Sequence, residues 1–258
     1  MTSFLGMTKV GWIRLAVIVG AIGLLEVCCR LEFINPRVVI PPSMMALALF
    51  NILRSGTMNA DMLRTFGSVA VAVSIAVVLG FVLGVAIHAA PRLRRTLDPF
   101  FATYYAVPIF IFYPVMVAIF GLSVVPVIMI GVAAGSVAMI IATLNGLDRI
   151  PRVLTKVARV HRMNAFDTAL RLKLPAAAPY LFTGVKLAVT YGFIAVIASE
   201  FILAPAGVGH EIAFAYNDFN NRRMYGLMLL LLLVATCVNM ILHTWDQRLA
   251  RRRGRVAL

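Results

Sequence analysis

The chain has 258 residues, of which 62% are hydrophobic and 13% charged, whereas a soluble domain is about half apolar and a quarter charged. This composition excludes an ordinary soluble domain and indicates an integral membrane protein. The net charge of +14 resides mainly between apolar runs, so we expect no nucleic-acid partner. The cysteines lie in apolar runs without metal-ligand or disulfide spacing; they are Cys28, Cys29 and Cys237.

Six apolar segments follow one another along the chain, and each is long enough to cross a hydrocarbon core of about 30 Å as a helix. They are residues 12–32, 67–90, 99–120, 124–144, 179–203 and 225–244. Because lipid offers no hydrogen-bond partners, helices are expected throughout. The fold class predicted is therefore all-α, with about six transmembrane helices. The first segment contains Glu26 and no small-residue cleavage site, so we expect an uncleaved span rather than a signal peptide.

The distribution of Lys and Arg predicts the orientation, because cytoplasmic loops carry an excess of these residues. With the N-terminus inside, the inner segments hold 17 of the 24 basic residues and the outer segments hold five. The inner segments are 1–14, 90–98, 145–178 and 245–258, and the outer ones are 33–66 and 204–224. Both termini are therefore expected in the cytoplasm.

Three regions are expected along the chain. Residues 1–59 form the first span and an outer-surface helix that starts at Ser43, after two prolines. Residues 60–245 form the main transmembrane domain, with a cytoplasmic loop at 145–178. Residues 246–258 form a basic cytoplasmic tail.

The third apolar segment contains "YYAVPIFIFYP", which concentrates tyrosine and proline in one span. Prolines free backbone carbonyls, which must find partners in neighbouring helices or face a cavity. Two interpretations stay open: a kinked packing helix, or a substrate path lined by Tyr105 or Tyr113.

The 145–178 loop has the pattern of a helix, a corner and a second helix. Three valines share one face of the first helix, and Arg152, Lys156 and Arg159 share another. Asn164 with Asp167 resembles an N-cap, so a second helix is predicted from there, and it buries Phe166, Ala169 and Leu170. Pro175 is predicted to end that helix and Pro179 to begin the next span. The loop suits either an interfacial helix on anionic lipid or a docking element for a cytoplasmic partner.

The later spans contain few ionisable residues. Lys186 is expected to extend its ammonium group to the cytoplasmic face. Ser199 and Glu200, near the outer end of the fifth span, suit an outer-gate contact as well as a ligand site. The histidines His88, His210 and His243 have no metal-ligand neighbour in the sequence and receive no role.

Three stretches together resemble the permease subunits of bacterial type I ABC importers, in particular the nitrate, sulfonate and taurine group. They are "RRTLDPFFATYYAVPIFIFYPVMVAIFG", "LPAAAPYLFTGVKLAV" and "VIASEFILAPAGVGHEI". The resemblance extends over roughly residues 40–250 and implies the ABC type I transmembrane fold in a bacterial inner membrane.

That family carries a cytoplasmic loop with Glu-Ala-Ala, a later Gly and a Leu-Pro. Counting back from Leu174-Pro175 places the Gly at Arg162 and the Glu-Ala-Ala at Lys156, Val157 and Ala158. Only Ala158 and the Leu-Pro match. Arg162 lacks the backbone freedom of glycine, and Lys156 reverses the charge. Either the corner is remade, with Asn164 as a cap, or this chain couples less directly to its ATPase, which a pairing of unlike permeases would tolerate.

The resemblance implies a transport subunit rather than an enzyme, with no catalytic residue, metal or cofactor of its own. The expected partners are a second permease, identical or unlike, two cytoplasmic ATPase subunits, an extracytoplasmic binding protein and membrane lipid. ATP and Mg would bind the ATPase, because this chain lacks a GxxxxGK[ST] loop. The substrate expected is a small organic or inorganic anion or a similar small solute. A secondary transporter is the alternative, and a scaffold that only recruits a partner is a third interpretation.

Two sets of site residues follow. The ATPase-coupling set is Lys156, Val157, Ala158, Arg162, Met163, Asn164, Ala165, Phe166, Ala169, Leu174 and Pro175. The substrate-path set is Tyr104, Tyr105, Pro108, Tyr113, Tyr191, Ser199 and Glu200.

Overall fold

The computed structural model describes residues 9–35, 38–104 and 107–254, and over these ranges every regular element is a helix. The α-helices are α1 (Lys9–Arg30), α2 (Pro42–Ser55), α3 (Asn59–Ala89), α4 (Pro91–Thr103), α5 (Tyr113–Phe120), α6 (Val124–Asp148), α7 (Arg152–Val160), α8 (Ala165–Asp167), α9 (Leu174–Leu203), α10 (Val208–Asn217) and α11 (Asn221–Gly254). A 3₁₀ turn (Ile109–Phe112) precedes α5, and a π-helical turn (Thr168–Lys173) precedes α9.

Five helices within the described ranges are long and apolar enough to cross a membrane. They correspond to α1, α3, α6, α9 with its preceding π turn, and α11. The all-α transmembrane fold predicted from the sequence is confirmed, and five of the six predicted segments are long helices.

The third predicted segment, 99–120, is not one continuous helix. Helix α4 ends at Thr103, residues 107 and 108 are not helical, and a 3₁₀ turn from Ile109 leads into α5 at Tyr113. The prolines explain the break, because each lacks an N–H and its ring clashes with the carbonyl four residues earlier. Pro108 precedes the 3₁₀ turn and Pro114 lies in the first turn of α5, where a missing N–H is tolerated.

The prediction that Pro175 ends a helix and Pro179 begins the next is also wrong. The chain stays helical from Thr168 to Ile202. Immediately before Pro175 the helix widens to a π turn, and the N–H of Leu174 donates to the carbonyl of Ala169, five residues back. The wider turn leads into α9, where Pro175 occupies the first turn and its missing donor is tolerated.

The contacts divide the chain into two compact units. One extends to Asn59 and takes in Glu211–Val234, and the other contains Ala60–His210 and the chain from Ala235. In the first unit, α2 begins after Pro41 as expected. The carboxylate of Glu26 accepts hydrogen bonds from the Ser43 amide (3.0 Å) and hydroxyl (2.7 Å), which ties α1 to α2.

The second unit is built around α6, which packs between α3 and α9 through small residues. A β-carbon added at Gly135 would lie 2.8 Å from the β-carbon of Ala76 and 3.1 Å from the carbonyl oxygen of Ala188. A side chain there would separate the helices, so glycine permits the close backbone approach that is typical of membrane helix packing. This close packing fixes the ends of the helices, where the functional features lie.

Candidate coupling surface and substrate path

The loop at 145–178, called here the coupling loop, presents apolar side chains to its surroundings. Helix α7 carries valines on one face, and Val160 at its end is 80% exposed. Ala158, by contrast, is buried. Helix α7 therefore packs on the protein through buried Ala158 and half-buried Leu154 and leaves its valines available for a partner.

The corner that follows α7 is a left-handed helix cap centred on Arg162. The N–H of Arg162 donates to the carbonyl of Arg159 (3.1 Å), and the N–H of Met163 donates to that of Ala158 (2.9 Å). This pair of bonds defines a Schellman motif, in which glycine is the usual residue at the left-handed position. Arg162 occupies it with φ +49, at a cost of about 1 kcal/mol relative to glycine. The corner is therefore kept in the backbone although the glycine is absent.

Asn164 caps the helix that starts after this corner, as the sequence predicts. Its side-chain oxygen accepts a hydrogen bond from the N–H of Asp167 at 2.6 Å, the geometry of an N-cap. Asp167 does not complete a capping box; its carboxylate lies 3.3 Å from Nε of Arg171. The prediction that Phe166, Ala169 and Leu170 are buried is wrong for this chain, because all three are exposed, Phe166 by 72%.

Replacing Asn164 with alanine should destabilise the corner by about 0.5–2 kcal/mol, the usual contribution of an N-cap side chain. The amide of Asp167 would lose its acceptor while the surface around Phe166 stays unchanged. Hydrogen exchange at residues 165–170 measures this directly and should become faster. Asn164→Asp, which keeps a capping oxygen, is the matched control and should retain slow exchange. Unchanged exchange in the alanine variant would show that the cap does not stabilise the corner.

A cavity of about 170 Å³ lies beside the broken helix, and we call it the Tyr104 cavity. It brings together three residues of the predicted substrate path, Tyr104, Pro108 and Tyr191. The hydroxyl of Tyr104 donates to the carbonyl of Ala134 on α6 at 2.6 Å. The remaining lining residues are Val107, Ile109, Phe110, Ala134, Ile194 and Ala195. These are apolar residues that sequence reasoning missed, because nothing distinguishes them from lipid-facing positions.

Of the other residues predicted for the path, the structure describes Tyr113, Ser199 and Glu200. Tyr105 falls outside the described residues. Tyr113 is fully buried in the core between α6 and α9, and within the described part of the chain its hydroxyl has no hydrogen-bond partner. Ser199 is also buried and donates to the carbonyl of Ala195 at 2.7 Å.

Glu200 belongs to a buried polar cluster that holds the turn before α10. Its side chain is 1% exposed. The Thr65 hydroxyl lies 2.8 Å and 2.9 Å from the two carboxylate oxygens, and the Gly209 amide donates to the carboxylate at 3.0 Å. The Val208 amide donates to the Thr65 hydroxyl oxygen at 2.8 Å.

Asp61 completes this cluster, because its carboxylate accepts from the amide of Gly207 at 2.9 Å. The amides of three successive residues at the start of α10 thus donate to oxygen acceptors, two of which are carboxylates. Such acceptors satisfy the free N–H groups at a helix N-terminus, where the helix dipole also favours negative charge. We call Asp61, Thr65, Glu200 and the turn 204–209 the Glu200 cluster. This geometry makes Glu200 a structural acceptor.

Two further ion pairs connect different helices of the second unit. Lys186 pairs with Asp246 of α11 at 3.1 Å, so its ammonium group has a protein partner as well as an apolar stem. Arg94 of α4 makes two hydrogen bonds to Asp148 at the end of α6. This carboxylate raises the pKa of Arg94. His88, with no role assigned from sequence, lies 3.4 Å from the same carboxylate.

The fold and the coupling loop define a class of protein: a multi-pass helical membrane protein with an exposed helix–corner–helix between two spans. The chain belongs to the family of binding-protein-dependent transport system inner membrane components, whose model matches residues 76–255. The resemblance found in the sequence is confirmed, and the protein is a multi-pass protein of the bacterial inner membrane. This membership does not support the alternative of a secondary transporter.

Individual relatives fall in the expected group. The chain is 32% identical over 171 residues to the nitrate import permease protein NrtB of Leptolyngbya laminosa, covering 66% of this chain and 61% of that protein. It is 30% identical over 146 residues to the bicarbonate transport system permease protein CmpB of Synechococcus elongatus, covering 56% and 52%. The chain therefore spans between half and two thirds of the length of these relatives.

Two comparisons cover more of the chain. The taurine transport system permease protein TauC of Escherichia coli is 24% identical over 231 residues, which is 88% of this chain and 84% of that protein. The solved structure of the MetNI methionine ABC transporter in an inward-facing conformation matches with a TM-score of 0.54 at 19% identity. That match covers 76% of this chain and 97% of the compared one, and it shows a shared fold.

Proposed function

We propose that this chain is the permease subunit of an ATP-binding-cassette importer, which forms the transmembrane path and receives force from cytoplasmic ATPase subunits. The observation that carries the proposal is the coupling loop. A membrane chain gains nothing by exposing Val160 and Phe166 on an ordered corner, unless a partner covers them. Family membership supports an ATPase as that partner.

The complex proposed contains two copies of this chain, two ATPase subunits that bind ATP and Mg, and an extracytoplasmic binding protein. ATP chemistry falls to the partner, because the sequence has no phosphate-binding loop. Purification from cells that express two differently tagged copies tests the pairing. Both tags should appear in one complex, and recovery of an unlike permease in place of the second tag would contradict the homodimer.

The substrate class proposed is a small anion. Nitrate and bicarbonate, named for two relatives, are small enough for a constriction the size of the Tyr104 cavity, about 170 Å³. Among the described residues, the lining of that cavity contains no carboxylate to repel an anion. A thermal-shift screen of the binding protein against small anions tests this class, and stabilisation by neutral solutes alone would contradict it.

The orientation proposed places both termini and the coupling loop in the cytoplasm, on the basis of the 17 inner and five outer basic residues. A reporter fused after Leu258 should be cytoplasmic, and one inserted near Ala206 should be external. The reverse labelling would contradict both the topology and the assignment of the coupling loop to the ATPase side.

The function is tested by reconstituting the chain with the ATPase subunit encoded beside it and the matching binding protein. Loaded binding protein should raise ATP hydrolysis, and labelled substrate should accumulate in the vesicles only with ATP. Uptake that proceeds without ATP, or no interaction with the ATPase, would refute the proposal.

A further inference from the structure

The corner of the coupling loop combines a strained backbone with an uncompensated positive charge. Arg162 holds φ +49 at a Schellman position where glycine is unstrained. An arginine in such a conformation costs about 1 kcal/mol relative to glycine, and backbone strain of this kind concentrates at functional sites.

The guanidinium of Arg162 has no carboxylate partner within the described part of the chain. Lys156 and Arg159 lie one helical turn apart on α7, and both are exposed. Within the described residues neither side chain has a carboxylate partner. The single acidic residue between Arg149 and Ser199 is Asp167, which faces Arg171 at 3.3 Å. Positive charge therefore accumulates at the corner without internal neutralisation, and this arrangement points to an anionic partner.

Apolar side chains stand on both sides of this charge along the chain. Val160 precedes the corner and Phe166 follows it, and they are 80% and 72% exposed. An arginine between exposed apolar anchors is typical of the energetically dominant centre of a protein interface. A helix on a lipid surface lays one apolar face along the interface, whereas the exposed apolar residues here lie on either side of a turn at Arg162.

We propose that Arg162, supported by Lys156 and Arg159, binds carboxylates on an acidic rim of the ATPase's docking groove. This inference rests on the proposed function, because it concerns the partner of the coupling loop. The arginine keeps the left-handed corner at an energetic cost because its side chain makes this contact. The partner is thus an ATPase with acidic residues beside an apolar groove that receives Phe166.

The Arg162→Gly variant separates the two roles of the residue because it should move two measurements in opposite directions. In the purified permease alone, relief of backbone strain should raise the unfolding midpoint by roughly 2–4 °C. In the assembled importer, loss of the guanidinium should weaken ATPase binding about tenfold at low salt, as for a charge-assisted hydrogen bond. The wild-type affinity should fall with added salt, and the variant's affinity should depend on salt less steeply.

Two controls isolate the corner. Arg162→Lys keeps the charge and the left-handed strain, so it should retain most of the salt-dependent affinity. Arg95→Gln removes one exposed charge from α4 and should leave ATPase binding unchanged. A loss in Arg95→Gln equal to that in Arg162→Gly would reduce the effect to net charge and overturn the proposal.

Lipid composition tests the competing partner. Binding is measured in nanodiscs of neutral phosphatidylcholine and in nanodiscs that contain anionic phosphatidylglycerol. The Arg162→Gly loss should be the same in both, and a loss confined to anionic nanodiscs would assign the corner to lipid. Equal ATPase affinity of wild type and Arg162→Gly at every salt concentration would refute this inference alone. Absence of ATPase binding by the wild type would refute the proposed function as well.

Discussion

Replacing Gly207 with alanine should destabilise the protein by at least about 3 kcal/mol, among the larger effects expected of one methyl group. Gly207 has φ +117, which L-residues rarely adopt. An added β-carbon would also lie 2.4 Å from Cδ of Glu200. The carboxylate cannot withdraw, because it is buried and accepts hydrogen bonds from Thr65 and Gly209. Displacing it would leave a buried carboxyl group without its hydrogen-bond donors.

A matched control separates the clash from the backbone strain. Gly121 also has a positive φ, +71, but a β-carbon there meets nothing within 4 Å. Gly121→Ala should therefore incur the backbone strain alone, about 1–3 kcal/mol. Thermal unfolding of the purified permease, followed by size-exclusion chromatography after heating, compares the two variants. Equal losses would show that the Glu200 cluster yields to the new methyl group and is not rigid.

The sequence predicts the long helices well because a membrane leaves few alternatives for an apolar run. Length and apolarity locate the apolar parts of α3, α6, α9 and α11, although α3 begins at Asn59 rather than at residue 67 and α11 extends to Gly254 rather than to residue 244. The loop motifs indicate the family. The break between α4 and α5 is less predictable. Pro108 and Pro114 signal a disturbance, but a kinked helix and a broken one share that signal.

Tertiary contacts are the part that sequence reasoning could not supply. Thr65 and Glu200 are 135 residues apart in sequence, and neither carries a local signature of their shared hydrogen bond. Glu200 therefore remained a candidate ligand until its donors were located. The rule that a proline ends a helix also failed at Pro175. A π turn precedes this proline and lets the helix continue where an α-helical pattern predicts an end.

The backbone conformation of the corner at Arg162 could likewise not be predicted from the sequence. Counting from Leu174-Pro175 located the position, but the missing glycine left two alternatives: a rebuilt turn, or a less direct coupling to the ATPase. The structure keeps the turn and places the arginine in the left-handed conformation. The left-handed conformation costs an arginine only about 1 kcal/mol relative to glycine. The hydrogen bonds from the Arg162 and Met163 amides to preceding carbonyls stabilise the turn.

Replacing Phe166 with aspartate should abolish co-purification of the ATPase while the permease still inserts and folds. Phe166 is 72% exposed in this chain, so a polar substitution disturbs little internal packing. In the assembled importer, the same carboxylate would enter an apolar groove without a partner, at a cost of roughly 3 kcal/mol or more. That corresponds to a loss of more than about a hundredfold in affinity.

Three comparison variants separate the effects of position, of lost apolar contact and of added charge. Phe219, at 90% the more exposed phenylalanine, lies between α10 and α11, and Phe219→Asp should leave ATPase binding intact. Phe166→Leu keeps an apolar side chain and should retain most of the affinity. Phe166→Asn removes the apolar contact without adding charge, so the difference in affinity between it and Phe166→Asp measures the cost of a negative charge in the apolar groove beside its acidic rim. Co-purification is quantified by the ATPase-to-permease ratio after size exclusion, and an unchanged ratio in Phe166→Asp would place the docking contact outside this corner.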